Sequence, residues 1–447
     1  MIDCKNKSCG MNYDQEKYES CPYCGHIPDK GADSSVEVAS KKEIKKEKKA
    51  QPEKEKSAGN MLKYIIIGAV VVAVVAAVVL AFFTFGDSGI TVPDKYATIQ
   101  EAIDAAEDGD EIVVQVGVYF ENLDFQGKNI ILRSTDPDDP AIVSETIIDG
   151  GGSGIVVSFR SGEGEGAVLS GFTITNGSGI VISGNSSPLI EKCLIERNNA
   201  EYGAGIYIVN SSPTIRDNMI IGNSGSLGGG LFIEESSPWI EGNTIVGNRA
   251  DNGSGMAILY ASAPTVIDNV IADNTAGNIG GGILVAKDST PTITGNTITG
   301  NIAERYGGGL YIDESEPEIA NNTISQNRAA NGGGLFIVNS LSTAVIIRKN
   351  SIADNLAYIA GGGIHIERSS PLIEDNTFIN NISEFLGGAV SVYVSSPVLR
   401  RNIFESNQAD DLGGGGAIWS SEDSVLDLND PDDNTYLGNI PNDISRE

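Results

Sequence analysis

"SSPTIRDNMIIGN", Ser211 to Asn223, decides the reading of this chain, because the chain repeats it. It returns as "SSPWIEGNTIVGN" from Ser236, "STPTITGNTITGN" from Ser289 and "SSPLIEDNTFINN" from Ser369. The prolines that mark it are Pro188, Pro213, Pro238, Pro264, Pro291, Pro317, Pro371 and Pro397, and neighbouring steps are 25 to 27 residues. The 54-residue step from Pro317 to Pro371 is two periods, with Val345 standing where the proline is missing. A repeat of that length predicts a solenoid, in which each unit buries its apolar side only against its neighbours.

Inside one period the apolar residues come in short runs. Ile215 and Ile220 alternate with Asn218 and Asn223, and glycines then lead into a second run such as "GGGLFIEE" from Gly228. Runs this short, rich in Ile and Val and bounded by Gly and Asn, read as strands rather than helices. The expected fold class is all-β, with one coil per period and three short strands per coil. Like strands stack in parallel about 4.8 Å apart, as a right-handed parallel β-helix solenoid.

Two columns of asparagine support this. One is Asn218, Asn243, Asn269, Asn296, Asn322, Asn350, Asn376 and Asn402; the other is Asn198, Asn223, Asn248, Asn274, Asn301, Asn327, Asn355, Asn381 and Asn407. Asparagine tolerates the left-handed backbone of a sharp corner, and stacked amides bond one another from coil to coil. Cys193 takes the first place in the first column and reads as a small core residue. The glycine triplets 228–230, 280–282, 307–309, 332–334 and 361–363 predict a bend too close to the next coil for a side chain.

Over about 250 residues these coils resemble the β-helix repeats of the pectin-lyase-like superfamily. The later coils are also similar to the GGAI and FxxN repeats of bacterial polymorphic membrane proteins. The matching residues are "GGAV" from Gly387, "GGAI" from Gly415, Phe378 to Asn381 and Phe404 to Asn407. The resemblance implies the fold, but the superfamily holds lyases, hydrolases, esterases, epimerases and non-enzymes. The paired aspartates, "GHG" segment and "DFIFG"-like motif of its enzymes do not occur here.

Ahead of the solenoid the chain changes character. Cys4, Cys9, Cys21 and Cys24 lie in the first 24 residues, and "CPYCG" from Cys21 is a knuckle whose two thiolates reach one ion. With the first pair they make a four-thiolate site of zinc-ribbon type, although the four-residue gap between Cys4 and Cys9 departs from the usual two and leaves His26 as an alternative ligand. Residues 29–63 are a Lys- and Glu-rich linker. Tyr64 to Phe85 is an apolar run of 22 residues without charge or proline, long enough as a helix to span a bilayer. Lysines crowd its N-terminal side, so the expected topology is a single-pass membrane protein with the ribbon, and an unknown partner for it, in the cytosol and the solenoid outside. The expected boundaries are 1–28 for the ribbon, 29–63 for the linker, 64–85 for the span, 88–185 for an N-terminal cap and first coils, 186–434 for the repeats and 435–447 for a closing tail. In the cap, Ile99, Ala102, Ile103 and Ala106 share one helix face. Asn429 and Asn434 keep ladder spacing near the far end.

The formal net charge is −30, divided as +2 over residues 1–83 and −32 over the rest. A solenoid so acidic repels nucleic acid and anionic lipid, and it allows calcium as a bound cation.

Candidate binding residues lie on the strand after the glycines. Ile206, Leu231, Ile283, Leu310, Leu335 and Ile364 point inward, so the next residue points out. That outward set is Tyr207, Phe232, Ala257, Leu284, Tyr311, Phe336, His365, Ser391 and Trp419. Two residues further on it is joined by Glu234, Asp313, Glu367 and Tyr393. Aromatic faces beside carboxylates on a rigid sheet suit sugar rings and their hydroxyls. The expected function is binding of a polysaccharide or another surface polymer. The alternatives are a lyase- or epimerase-type enzyme using a carboxylate or lysine base, and a structural spacer or adhesin, in which the rings merely pack on one another. Of the sequons at Asn176, Asn185, Asn210, Asn252, Asn321 and Asn381, the last is a ladder residue and is expected to be inaccessible.

The cysteine spacing makes one prediction of its own. A peptide of residues 1–30 binds one zinc ion and loses its fold on chelation, and Cys21→Ser abolishes uptake. Identical circular dichroism with and without zinc would refute it.

Overall fold

The computed structural model describes residues 89–340, 345–410, 414–426 and 434–446, together with two paired two-residue strands, Ile2–Asp3 and Asn12–Tyr13. The chain divides into one unit ending at Gly86 and a second from Asp87 to Glu447. The four ribbon cysteines, the charged linker and the apolar run 64–85 all lie outside the described residues. Among the described residues no helix is long and apolar enough to cross a membrane.

The second unit is a parallel β-helix. Three parallel sheets of thirteen strands each run its length. The first extends from Ile90–Val92 to Val398–Arg400, the second from Gly117–Phe120 to Thr435–Leu437, and the third from Leu123–Asp124 to Ile444–Arg446. Strands of three residues turn only their central side chain inward. In the first sheet these are Ile215, Ile240, Val266 and Ile293, paired in register coil by coil and fully buried. Ile220, Ile245, Ile271 and Ile298 form the matching column of the second sheet. Stacking like on like fills the interior with one continuous apolar cluster, and each residue buried there contributes on the order of 2 kcal/mol.

The coils from Arg249 to Ser383 carry a fourth strand, which the three-strand expectation omits: a six-stranded sheet from Arg249–Asn252 to Ile382–Ser383. Its inward residues are alanines, except Ser383 in the last strand, and Ala276, Ala303 and Ala329 form a small buried cluster of their own. With small residues inside and a mixture outside, from Arg249 and Thr275 to the exposed Ile302 and Ile382, the segment lacks the hydrophobic alternation by which a strand is recognised.

Both asparagine columns are bonded from coil to coil. Asn243 is typical: its backbone N–H and its Nδ2 donate to Asn269 Oδ1 at 2.9 and 3.0 Å, and Nδ2 also donates to the Ile215 carbonyl at 2.8 Å. Cys193 heads the first column, and its N–H donates to Asn218 Oδ1 at 3.0 Å. Asn381 is fully buried, so its sequon is closed. The left-handed backbone stands one position earlier than expected. The positive φ angles belong to Asp217, Asp268, Asp273, Lys349, Asp354 and Asp375, each immediately before a ladder asparagine. That residue makes the corner, which leaves the asparagine free to turn its amide inward. At the far end Asn434 joins the first column and Asn439 the second. Asn429 lies outside the described residues, and the strands Thr435–Leu437 and Ile444–Arg446 carry two sheets past residue 434.

Two short helices cover the first coils. In α1, Ile99–Ala105, the buried residues are Ile99, Ala102 and Ile103, as the spacing predicts. The Glu121 carboxylate accepts from the Ile99 and Gln100 N–H groups at its N-terminus, each at 2.9 Å, which satisfies donors that a helix start leaves free. The second, α2, Pro140–Glu145, begins at the Asp139 cap.

Asn274→Ala removes the acceptor for the Asn248 N–H and Nδ2 and the donor to the Ile245 carbonyl. With about 1–3 kcal/mol for each buried group left unpaired, the variant is expected to lose roughly 3 kcal/mol or more in denaturant unfolding. An unchanged midpoint would show that the ladder does not hold the coils.

Candidate ligand-binding face

The third sheet presents the outward row where the periodicity puts it. Tyr207 pairs with Phe232, Phe232 with Ala257, Ala257 with Leu284 and Leu284 with Tyr311. The row continues through Phe336, His365, Ser391 and Trp419. The inward neighbours Ile206, Leu231, Ile283, Leu310, Leu335 and Ile364 are fully buried.

Facing out does not leave the row exposed. Phe232, Phe336, His365 and Trp419 are buried, and Tyr207 and Tyr311 are half-buried. Phe232, Ala257 and Leu284 form a second hydrophobic cluster with Leu259 and Ala286, with Tyr207, Leu227, Ile279 and Tyr311 packed against it. The glycine-rich segment before each strand folds back over the row. At Gly228 (φ +65°) a Cβ would come within 2.8 Å of Phe232 Cβ, and at Gly332 (φ +65°) within 2.9 Å of Phe336 Cβ. The residue just before the equivalent glycine of the preceding coil lays a further ring on top: Tyr202, ahead of Gly203, lies 5.8 Å from Phe232, and Tyr306, ahead of Gly307, lies 4.6 Å from Phe336. Along the axis the rings stack, with centroids at 5.3 Å for Tyr207 on Phe232 and 5.5 Å for Tyr311 on Phe336.

The carboxylates stand two residues on, half-buried and separated by apolar residues. Glu234 pairs with Leu259, Asp313 with Val338, and Val338 with Glu367. Tyr207 Oη donates to Glu234 Oε2 at 2.7 Å. Burial raises the Tyr207 phenol above its usual range, and the bond to Glu234 adds to the shift. Tyr311 is raised in the same way by burial and by Asp313. No group of metal-ligating side chains occurs among the described residues.

Beside this face runs a groove that the sequence reading missed. Three cavities of about 390, 530 and 660 Å³ follow one another along the solenoid and share lining residues. Glu235 and Ala261 line both the first and the second, and Asp288 lines both the second and the third. Together they reach from Asn185 to Ser340, with Tyr260, 48% exposed, in the middle. Lys287 bridges to Glu314 at 2.8 Å along the wall. Behind the groove a serine column links the coils: the N–H of each of Ser186, Ser211, Ser236, Ser262, Ser289 and Ser315 donates to the hydroxyl of the next at 3.1–3.3 Å. Its first hydroxyl donates to the buried Glu163 carboxylate at 2.6 Å. Burial works to raise that carboxyl, but the bonds from Ser186, Gly127 and Ser161 outweigh it and hold it below the usual range. The groove follows because the residue before each of these serines is left-handed, as at Asn210, Glu235, Ala261, Asp288, Glu314 and Asn339. The repeated Ser-Ser before proline was the signal for it.

A coil-stacked solenoid of three parallel thirteen-stranded sheets with a lengthwise groove defines a parallel β-helix. The chain belongs to the right-handed beta helix family, whose model matches residues 113–271 and again 265–431. Solved structures similar to it include the A-module of the mannuronan C-5 epimerase AlgE6 of Azotobacter vinelandii, with 14% identity, TM-score 0.41, 78% of this chain and 94% of that one covered. Another is the family 28 exopolygalacturonase of Yersinia enterocolitica, with 11% identity, TM-score 0.32, 78% of this chain and 77% of that one. No curated protein matches the chain.

His365 makes this face sensitive to acid. Burial lowers its imidazole from 6.5 to about 4. Between those values the unfolded chain binds a proton that the folded chain does not, so the stability due to the neutral ring is present above about pH 6.5 and is lost as pH falls toward about 4. The expected loss is about 3 kcal/mol. It is read as the difference between wild type and His365→Phe in denaturant titrations at a series of pH values. A difference independent of pH would contradict the shift.

Proposed function

We propose that the solenoid holds an extended polysaccharide or a similar surface polymer lengthwise, outside a membrane to which the segment 64–85 anchors it. The observation that carries this reading is the groove from Asn185 to Ser340, lined largely by serines, asparagines and carboxylates and interrupted in its middle by Tyr260, an exposed ring, and Ala261. Hydroxyl-bearing polymers bind where donors and acceptors repeat along a rigid surface and an aromatic face meets the apolar side of a ring. The half-buried edges of Tyr207 and Tyr311, with Glu234 and Asp313 beside them, belong to the same surface in this reading. The acidic charge disposes it toward neutral or cationic polymers. On the other side of the membrane, Cys4, Cys9, Cys21 and Cys24 hold a structural zinc ion and meet a cytosolic partner.

Tyr260 is the residue to change, since Phe336 is packed and its loss would unfold coils rather than report on binding. Tyr260→Ala together with Glu235→Gln is expected to weaken retention of a glycan by about tenfold, the equivalent of about 1.4 kcal/mol, with the melting temperature within a degree or two of wild type. The measurement is calorimetry on a glycan selected from an array by the full-length protein. Equal affinity would remove the groove from the account, and no array binding at all would leave a spacer.

A further inference from the structure

The fourth sheet closes on an exposed apolar patch. Its outward row runs in register from Arg249 through Thr275, Ile302, Arg328 and Leu356 to Ile382. Around the half-buried Leu356, large apolar side chains of the last two coils stand open to solvent: Tyr358, Ile359, Ile382 and Phe385, at 41%, 47%, 42% and 52%. Large apolar groups left open side by side mark a contact surface, whereas isolated ones do not. The charges beside them are as telling. Arg328 lies one coil before Leu356 and Glu384 one coil after it, both exposed, and neither makes an ion pair among the described residues. Elsewhere on the solenoid arginines are taken up by carboxylates of the neighbouring coil, as at Arg216 with Glu191 and Arg348 with Glu318.

We propose that this patch is an interface between two copies of the chain, joined face to face with their solenoid axes antiparallel and Leu356 opposite Leu356 at the centre. A two-fold contact sets one surface against itself. Parallel axes would put each coil against the same coil of the second copy, with Arg328 near Arg328 and Glu384 near Glu384. Antiparallel axes put Arg328 of each copy against the coil that carries Glu384 of the other, because the two stand one strand spacing, about 4.8 Å, on either side of the centre. Both pairs form at once, at the rim of a contact whose middle is Leu356, Tyr358 and Ile359. Apolar burial supplies the affinity, and the reciprocal ion pairs fix the direction. The same arrangement selects the partner. A polyanion would leave Glu384 unpaired, a polycation would leave Arg328 unpaired, and a neutral sugar answers neither; a second copy pairs both. Two chains of net charge −30 repel over most of their surface, so they meet where cation and carboxylate flank an apolar centre. The contact is independent of the polysaccharide reading, since the groove lies at another corner of the coil, beyond the third sheet.

The test is sedimentation velocity on the full-length protein in detergent. Wild type is expected to be dimeric at micromolar concentration. Arg328→Glu and Glu384→Arg are each expected to weaken association about tenfold or more, because like charges then face one another across the contact. The variant that carries both changes restores the two pairs with their signs exchanged, and it is expected to return to within about threefold of the wild-type affinity. Tyr358→Asp, beside the centre, is expected to give a monomer. These side chains are exposed, so every variant is expected to keep the wild-type melting temperature of the solenoid. A monomeric wild type overturns the proposal and leaves the patch to a different partner. A dimer that neither single reversal weakens overturns it as well, and so does one that the exchanged pair fails to restore.

Discussion

The buried asparagine amide is the interaction on which the solenoid depends. Within the columns each Oδ1 accepts two bonds from the preceding coil, and each Nδ2 donates onward and back to a carbonyl, as at Asn243 and Asn269. An amide satisfied in this way is stable in the interior, while one out of register leaves several groups unpaired. The two columns therefore hold neighbouring coils in one register, and they do so through a spacing that does not vary: five residues separate the paired asparagines in every coil, from Asn218 and Asn223 to Asn434 and Asn439. Coil length does vary, with ladder partners 25 residues apart at Asn218 and 32 apart at Asn402. The extra residues are taken up where no ladder constrains them, and the added fourth sheet lies in that part of the coil.

The corners follow from the ladders. For the amide to turn inward, the residue before it takes the left-handed conformation, and Gly, Asp and Asn share that place with Lys, Arg, Gln and Ser. The serine column repeats the device at the third corner, with the buried Glu163 carboxylate as its terminal acceptor. Two consecutive features of one corner thus have different consequences. The serine hydroxyl ties the coils together, and the left-handed residue ahead of it throws its side chain outward to wall the groove. Stability and the candidate ligand surface come from the same four residues of each repeat.

The outward row of the third sheet shows why direction and exposure are different properties. Strand alternation puts Phe232, Phe336 and Trp419 outside the main core. The glycine segments then cover them, because a backbone without side chains can lie against a ring at van der Waals distance. The result is a second apolar layer, with Tyr207 and Tyr311 exposed only in part. The same cover closes over His365 and Ser391, polar residues in a place built for apolar ones, and leaves them without partners.

The repeat alone determined the all-β parallel solenoid, the length of a coil, both asparagine ladders, the role of Cys193 and the side of the strand on which each candidate residue lies, and the spacing of Ile99, Ala102 and Ile103 determined the first helix. These are consequences of local periodicity and of identical neighbours, and periodicity is written in the chain. It did not disclose the fourth strand, whose inward alanines carry no alternation, or that Asn439 closes the second ladder beside Asn434. Nor could it show that the aromatic row is covered, that serines form a third column, or that a groove runs beside them. Each of these depends on which residues of neighbouring coils meet at a corner, and on how closely one segment lies over another. Those distances are set by the stacking of the coils, so only the tertiary structure decided them.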